Sequence, residues 1–516
     1  MSLPKSPPIF ALPIELLAET FLCAIDELEA FDPFMIIEPD SRRPYDTLTS
    51  VVNFSLVCKY FRNIALHTPL LWKDIYLASD VPLWLVDLML DRSGQMPLRV
   101  RVTTATDPRL LEPAVHRISS LSCLCFGDIS GRGVVYDMPL LQELFVDSYH
   151  SKLLPGVPFI SHQDLLPQLR RLSLIEVPFL HAQALFRPTL IDLCYYLEVN
   201  APPLSELMRA LGEMHTLERL ELSISGSEEL FLTEAVPKAT LPYLKRLNLP
   251  GDPNSCAAIL RSLVFPATTF LNSFSYEGEE IEGTYLFSSV LSKLSGHGLL
   301  GAVPRADELI LEASSALDPI IFSIRAISNG ECFFWQSFDG LLQVHDALDS
   351  LCCLPHTDFL SGIQSLVFET LDNFIDEIPS FPRTSITSRL TNLTALHLNR
   401  APTLRYSLAK FHLSLRSPTA ENLPFPKLRV LSLTDAEFRA EPPSVVIGHR
   451  GSDFIWYLRD MLAIRQDAGI PLQELNIWSP INFNGSEDED ILRRHVKGTV
   501  SISASEESGP AQVSEA

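Results

Sequence analysis

The sequence predicts an α/β chain in which a small all-α module precedes a repeat solenoid with a parallel, curved sheet. Three observations lead there. Two amphipathic helical stretches open the chain, and from about residue 80 a short strand pattern, LxxLxL, returns again and again with a turn and a helical stretch behind it. The composition is globular, with 46% hydrophobic and 20% charged residues, and 516 residues are too many for one compact core.

The first helix is expected from Pro13, with Leu17, Phe21, Ala24 and Leu28 at steps of four, three and four on one face. Pro13 suits a first turn, where its missing N–H would have had no partner. The stretch "FDPFMIIEPDSRRPYDT" interrupts the pattern. A second helix follows, carrying Val51, Phe54, Cys58, Phe61 and Ala65 on one face and ending at His67-Thr68-Pro69. Two helices of this size cannot form a stable domain alone, so they must pack on something else. This module spans residues 9–77, after an N-terminal tail of residues 1–8.

Residues 78–482 carry the repeats. The second apolar anchors of the strand patterns fall at 124, 144, 172, 193, 220, 247, 274, 309, 366, 396, 431 and 475. The central spacings sit near the roughly 20 to 29 residues of a leucine-rich repeat, and the long interval from 309 to 366 has room for one divergent unit. Helices are expected over "PLSELMRALG" with Ser205 as N-cap, over "TYLFSSVLSKLSG", from Asp339 over "DGLLQVHDALDSL", and between Ser452 and Gly469. Strands alternating with helices imply a parallel sheet stacked as a solenoid. One or two ordinary α/β domains are the alternative. Residues 483–516 are polar and acidic, and are expected to be a disordered tail, at least beyond Val500.

Lys plus Arg total 40 against 63 for Asp plus Glu, a net charge of −23 that disfavours nucleic acid and anionic membrane surfaces as partners. The nine cysteines form no CxxC pair, so no zinc site is expected. No signal peptide and no apolar run long enough for a bilayer is present, which points to the cytoplasm or nucleus. "GHGLLG", Gly296 to Gly301, matches GxGxxG but follows a helix and leads into a strand, the reverse of a dinucleotide site. GxSxG, HExxH and GxxxxGK[ST] are all absent. The expectation is a protein with no cofactor, no metal and no catalytic residue.

With no reaction in view, helices ahead of a repeat array read as a docking module ahead of a recognition surface. "LPIELLAETFLCAI", then "SLVCKYFRNIAL", then "PLLW" resemble the two halves of an F-box domain, whose pattern is LPxEll, an slVCrrWr helix and a terminal LW. The next stretch, "VPLWLVDLMLDRSGQMPLRVRV", resembles the linker helix and first strand of F-box proteins with irregular leucine-rich repeats. Phe61 departs from the pattern by standing where Trp is usual, and the connection between the helices is longer than in compact members.

The resemblance implies a substrate receptor of an SCF-type cullin–RING ubiquitin ligase, docking on the small acidic linker protein and, through it, on the cullin. Leu12, Pro13, Glu15 and Leu16 with Val57, Cys58 and Phe61 would form or support the docking face, and Leu71 and Trp72 would close it. A repeat scaffold acting outside any ligase is the competing reading. For the protein substrate, the positions between and beside the leucine anchors project from the sheet. They give a mixed polar band early (Arg171, Asp192, Arg219, Glu221, Arg246), with Ser273 and Ser275 next in the rows. A more apolar region follows, where Ile310, Val367, Ala395, His397 and Val430 are the expected contacts.

Overall fold

The computed structural model describes residues 9, 12–29, 46–78, 81–102, 108–124, 137–148, 166–198, 201–224, 236–275, 289–290, 292–293, 298–301, 305–314, 321–339, 361–370, 390–399, 423–439 and 454–503. These form a mixed α/β protein with a large, mostly parallel sheet of 17 strands. The chain divides into two compact units, Met1–Leu244 and Lys245–Ala516. This division falls within the expected repeat region.

The first unit opens with α1 (Ile14–Glu29), α2 (Asp46–Val57), α3 (Lys59–His67) and a 3₁₀ turn, Pro69–Trp72. There follow β1 (Asp74–Leu77), α4 (Leu83–Arg92), β2 (Leu98–Val102), β3 (Ile118–Leu124), β4 (Glu143–Asp147) and β5 (Arg171–Ile175). The remainder is α5 (Phe179–Ala182), β6 (Asp192–Leu197), α6 (Leu204–Gly212), β7 (Arg219–Ile224) and the short β8 (Ala239–Thr240). Strands β1 to β7 pair in chain order, all parallel. Leu121, Leu144, Leu172, Leu193 and Leu220 stand side by side in register and are buried. Alternation along each strand turns the next buried residue, from Cys123 through Val146, Leu174 and Tyr195 to Leu222, to the same side.

On the opposite face the residue before each leucine builds a ladder of alternating charge. Arg171 donates to Glu143 at 3.1 Å on one side and bridges to Asp192 at 3.1 Å on the other, while Arg219 donates to the same Asp192 at 2.7 and 2.5 Å. Asp192 is almost fully buried, and the two guanidinium groups beside it replace the water it has lost. The early polar band is thus largely occupied with itself.

Four expectations are corrected in this unit. The anchor of β3 is Leu121 and not residue 124, because Leu121 pairs with Leu144. The stretch Asp74–Leu77, expected within the helical module, is the first strand of the sheet: Ile75 and Leu77 face inward, and Asp74 holds Arg99 of β2. The N-cap of α6 is Pro203, so Ser205 lies inside the helix. Ala24 is exposed, so the buried stripe of α1 consists of Leu17 and Phe21; the side chain of Leu28 lies outside the described residues.

The second unit contains β9 (Arg246–Gly251), α7 (Pro253–Ser262), β10 (Leu263–Pro266), β11 (Phe270–Ser275), β12 (Leu299–Leu300), β13 (Glu308–Ser314), β14 (Ile321–Ser328) and β15 (Glu331–Asp339). After them come β16 (Ser365–Thr370), β17 (Ala395–Asn399), β18 (Val430–Thr434), α8 (Phe454–Asp467), β19 (Glu474–Trp478), α9 (Gly485–Arg493) and β20 (Thr499–Ser503). The spatial order of the main strands is β9-β11-β15-β14-β13-β16-β17-β18-β19-β20. All neighbours are parallel except β15-β14 and β14-β13. A hairpin is therefore spliced into the parallel ladder between β11 and β13. Leu309, Leu366, Leu396, Leu431 and Leu475 run in register and are buried, as the sequence spacing requires.

Here too the structure departs from the sequence reading. Leu247 pairs with Leu271, so the anchor of β11 is Leu271 and not Phe274; Asn272 projects, while Ser273 takes an inward position beside Leu249. Asp339, expected to open a helix, ends β15, and the rest of that segment lies outside the described residues, as do Ser452 and most of residues 284–296. Gly298 and Gly301, with positive φ, bracket β12 rather than a helix N-terminus. Most plainly, residues 485–503 are not a disordered tail. Val500 pairs with Leu475, and buried Asp488 holds Arg439 at 2.5 Å and the Asn484 N–H at 2.7 Å. The strand buries only Val500, in line with Leu475, while Thr499, Ser501 and Ser503 stay exposed, which is why its composition reads as unfolded.

Arg465 of α8 is fully buried; its guanidinium donates to the carbonyls of Pro424, Phe425 and Leu428 at 3.0, 3.1 and 3.2 Å. Burial lowers its pKa to about 10, still charged near neutrality. Phe425 has φ of +50°, so this turn is strained and the arginine ties it to the helix. Arg465→Met is expected to lower unfolding free energy by about 3 kcal/mol, read from denaturant midpoints, because three buried carbonyls lose their donor.

Candidate functional site

The helical module is built around an aromatic cluster. Phe21 of α1 stacks on Phe54 of α2 at 4.4 Å between ring centroids and meets Phe61 of α3 edge-on at 5.2 Å. Leu17, Val51, Ile64 and Ala65 fill the space around them. Trp72 is buried as well, its indole N–H donating to the Ala65 carbonyl at 2.8 Å. Burying an indole requires such a partner, and the 3₁₀ turn after Thr68 delivers it.

The second helix is not continuous. Cys58 is extended, with φ −161° and ψ 169°, and serves as N-cap of α3: the Phe61 N–H donates to its Sγ at 3.4 Å. A thiol is a weak acceptor, but it stands where an Asn, Asp or Ser oxygen would be expected. Leu56 and Val57, at the end of α2 just before the break, are about two-thirds exposed, at 65% and 64%. The Tyr60 hydroxyl donates to the Leu12 carbonyl at 3.5 Å, which brings the start of α1 beside the first turn of α3.

The nine expected docking residues therefore separate into two groups. Leu12, Pro13, Glu15, Leu16 and Val57 are exposed, Leu16 at 53%. Phe61, Leu71 and Trp72 are buried and shape the module from within, and Cys58 caps the helix between the groups. The structure adds Ile14 and Leu56 to the exposed apolar residues; Leu83 and Trp84, on α4, are exposed as well. Leu56 was within reach of periodicity, since it lies opposite the stripe of Val51, Phe54, Cys58 and Phe61.

In the second unit the expected contact residues form two neighbouring rows on the face opposite the buried leucines. Ile310, Val367 and His397 stand in register in one row, and Ala395 and Val430 in the other; all five are partly exposed. The first row continues where sequence reasoning did not look. Ile310 is opposite Arg325 of β14, which is opposite Trp335 of β15, which pairs with Asn272 of β11. Arg325 lies over the Trp335 ring at 5.5 Å and is ion-paired with Glu312. "SIRAISNGECFFW" does carry a signal, Asn-Gly between alternating residues, and Asn329 and Gly330 both take the positive φ of a two-residue hairpin turn.

Among the described residues no group of three or more His, Cys, Asp and Glu side chains could hold a metal, and no helix is long and apolar enough to cross a membrane. No family model matches the chain, and no curated protein matches it.

His397 is half-buried, and desolvation holds its pKa below the ordinary histidine value, with Glu308 opposing in part. The unfolded chain thus binds the proton more readily than the folded one, so stability falls as pH drops below about 6.5 towards the folded pKa. His397→Gln is expected to flatten this part of the melting temperature against pH curve; an unchanged slope between wild type and variant would contradict it.

Proposed function

We propose that this chain is a non-catalytic substrate receptor of an SCF-type ubiquitin ligase, in which residues 9–72 act as an F-box and the parallel ladder acts as a leucine-rich-repeat solenoid. The supporting observation is that Leu12, Ile14, Leu16, Leu56 and Val57 stay exposed on a module whose aromatic interior is packed without them. Apolar residues not needed for the module's own packing are available to a partner, at about 1.5 to 3 kcal/mol for each side chain fully covered. The protein substrate is taken by the row through Ile310, Val367 and His397, in the cytoplasm or nucleus. Ubiquitin transfer itself belongs to the ligase; this chain supplies proximity.

The double variant Leu16→Asp, Val57→Asp is expected to reduce co-purification of the full chain with the linker protein and cullin at least ~100-fold, on the burial energies above. Its thermal unfolding should match wild type, because both positions are exposed. Wild-type protein that fails to bring down the linker protein would instead favour a scaffold outside any ligase. Val367→Arg should abolish substrate capture and leave linker binding intact.

A further inference from the structure

The hairpin β14-β15 contains a bulge. Ser328 pairs with Glu331 and Ile327 with Cys332, but Ala326 pairs with Phe334, so Phe333 is an extra residue on β15. Without it, strict alternation would turn Trp335 inward beside Ile324 and Phe334 outward beside Arg325. With it, Phe334 is buried and Trp335 lies 37% exposed on the projecting face. Bulges re-aim side chains in this way at working surfaces. A bulky indole is placed in the open, a guanidinium is laid across it, and the row runs on through Ile310 and Val367.

The rows flanking this stripe are acidic. Glu308 lies on one side of it; Glu312 and Glu369 lie on the other, directly opposite each other on β13 and β16. Like charges so placed are destabilising. Arg325 answers Glu312, and Ser365 donates to Glu308 at 3.0 Å. Among the described residues neither Glu308 nor Glu369 has a lysine or arginine partner.

We infer that this stripe is a docking site for an extended peptide segment in which a bulky apolar residue seated on Ile310 and Val367, with a second against Trp335, is flanked by lysine or arginine directed to Glu369 and Glu308. Apolar contact supplies the seat, and the carboxylates on each side select cationic neighbours and reject acidic ones. The inference rests on the reading of this face as the substrate surface and names the substrate's chemistry; it does not depend on the F-box.

Random twelve-residue peptides displayed on phage, selected against the immobilised full-length protein, test it. Recovered sequences are synthesised with a fluorescent label and titrated by anisotropy against wild type, Trp335→Ala, Trp335→Phe and Glu369→Lys, each first shown to melt as wild type does. The expected result is enrichment of Lys or Arg beside Leu, Ile or Phe, at least tenfold weaker binding to Trp335→Ala, and partial retention by Trp335→Phe. Glu369→Lys should also weaken basic peptides at least tenfold, and added salt should weaken binding to wild type. Selection that enriches nothing, acidic or uncharged winners, or affinities indifferent to Trp335→Ala would each overturn it. No arm contains the linker protein, so failure here leaves the docking reading untouched. Acidic winners together with loss of substrate capture by Val367→Arg would keep the face and remove this chemistry.

Discussion

Most strands of the ladder offer two buried apolar positions, separated by one residue, to a neighbour that offers the same two. A slip by one residue would bury the projecting set and expose the leucines, so register is fixed wherever this pair is present. Everything on the other face inherits that register. Arg171 meets Asp192, and Val367 meets His397, only because Leu172 meets Leu193 and Leu366 meets Leu396. The interior thus determines which surface groups of the parallel strands can act together, and the ion-pair ladder needs no positioning device of its own.

The helical module obeys a different economy. Its three helices have little surface to bury, and the aromatic contacts of Phe21, Phe54 and Phe61 with the anchored Trp72 carry its cohesion. Aromatic rings supply large area per residue, which lets a small core close while aliphatic side chains remain outside it. The thiol cap at Cys58 is the corner of the arrangement: it redirects the chain between α2 and α3 by a single extended residue.

The leucine pattern was legible wherever a strand carried both anchors in the expected spacing, from Leu144 to Leu220 and from Leu309 to Leu475. It misled at β3 and β11, where an additional apolar residue three positions on, Leu124 or Phe274, imitated the anchor. It stopped short at the C-terminus, because a strand that caps a stack is half polar and its helix, Gly485–Arg493, is mostly charged. The break at Cys58 was hidden because Cys58 itself falls on the helical period. Among the candidate contacts, Ile310, Val367 and His397 were visible as intervening residues of repeats. Trp335 and Arg325 were not, since an antiparallel insertion has no leucine signature and a bulge reverses the side to which alternation would assign the indole.

The insertion also bears on how the second unit assembles. Strand β13 comes straight after β12 in the chain, yet the two places between it and β11 are filled by a segment synthesised later. Because two antiparallel strands restore the original polarity, the parallel stack resumes unchanged on the far side. Until β14 and β15 fold back, the strands before and after the gap have no shared hydrogen bonds, and local hairpins close in about 1–10 μs, long before distant parallel strands find one another. The two runs of parallel strands are thus joined through a hairpin whose only turn is two residues long, Asn329–Gly330.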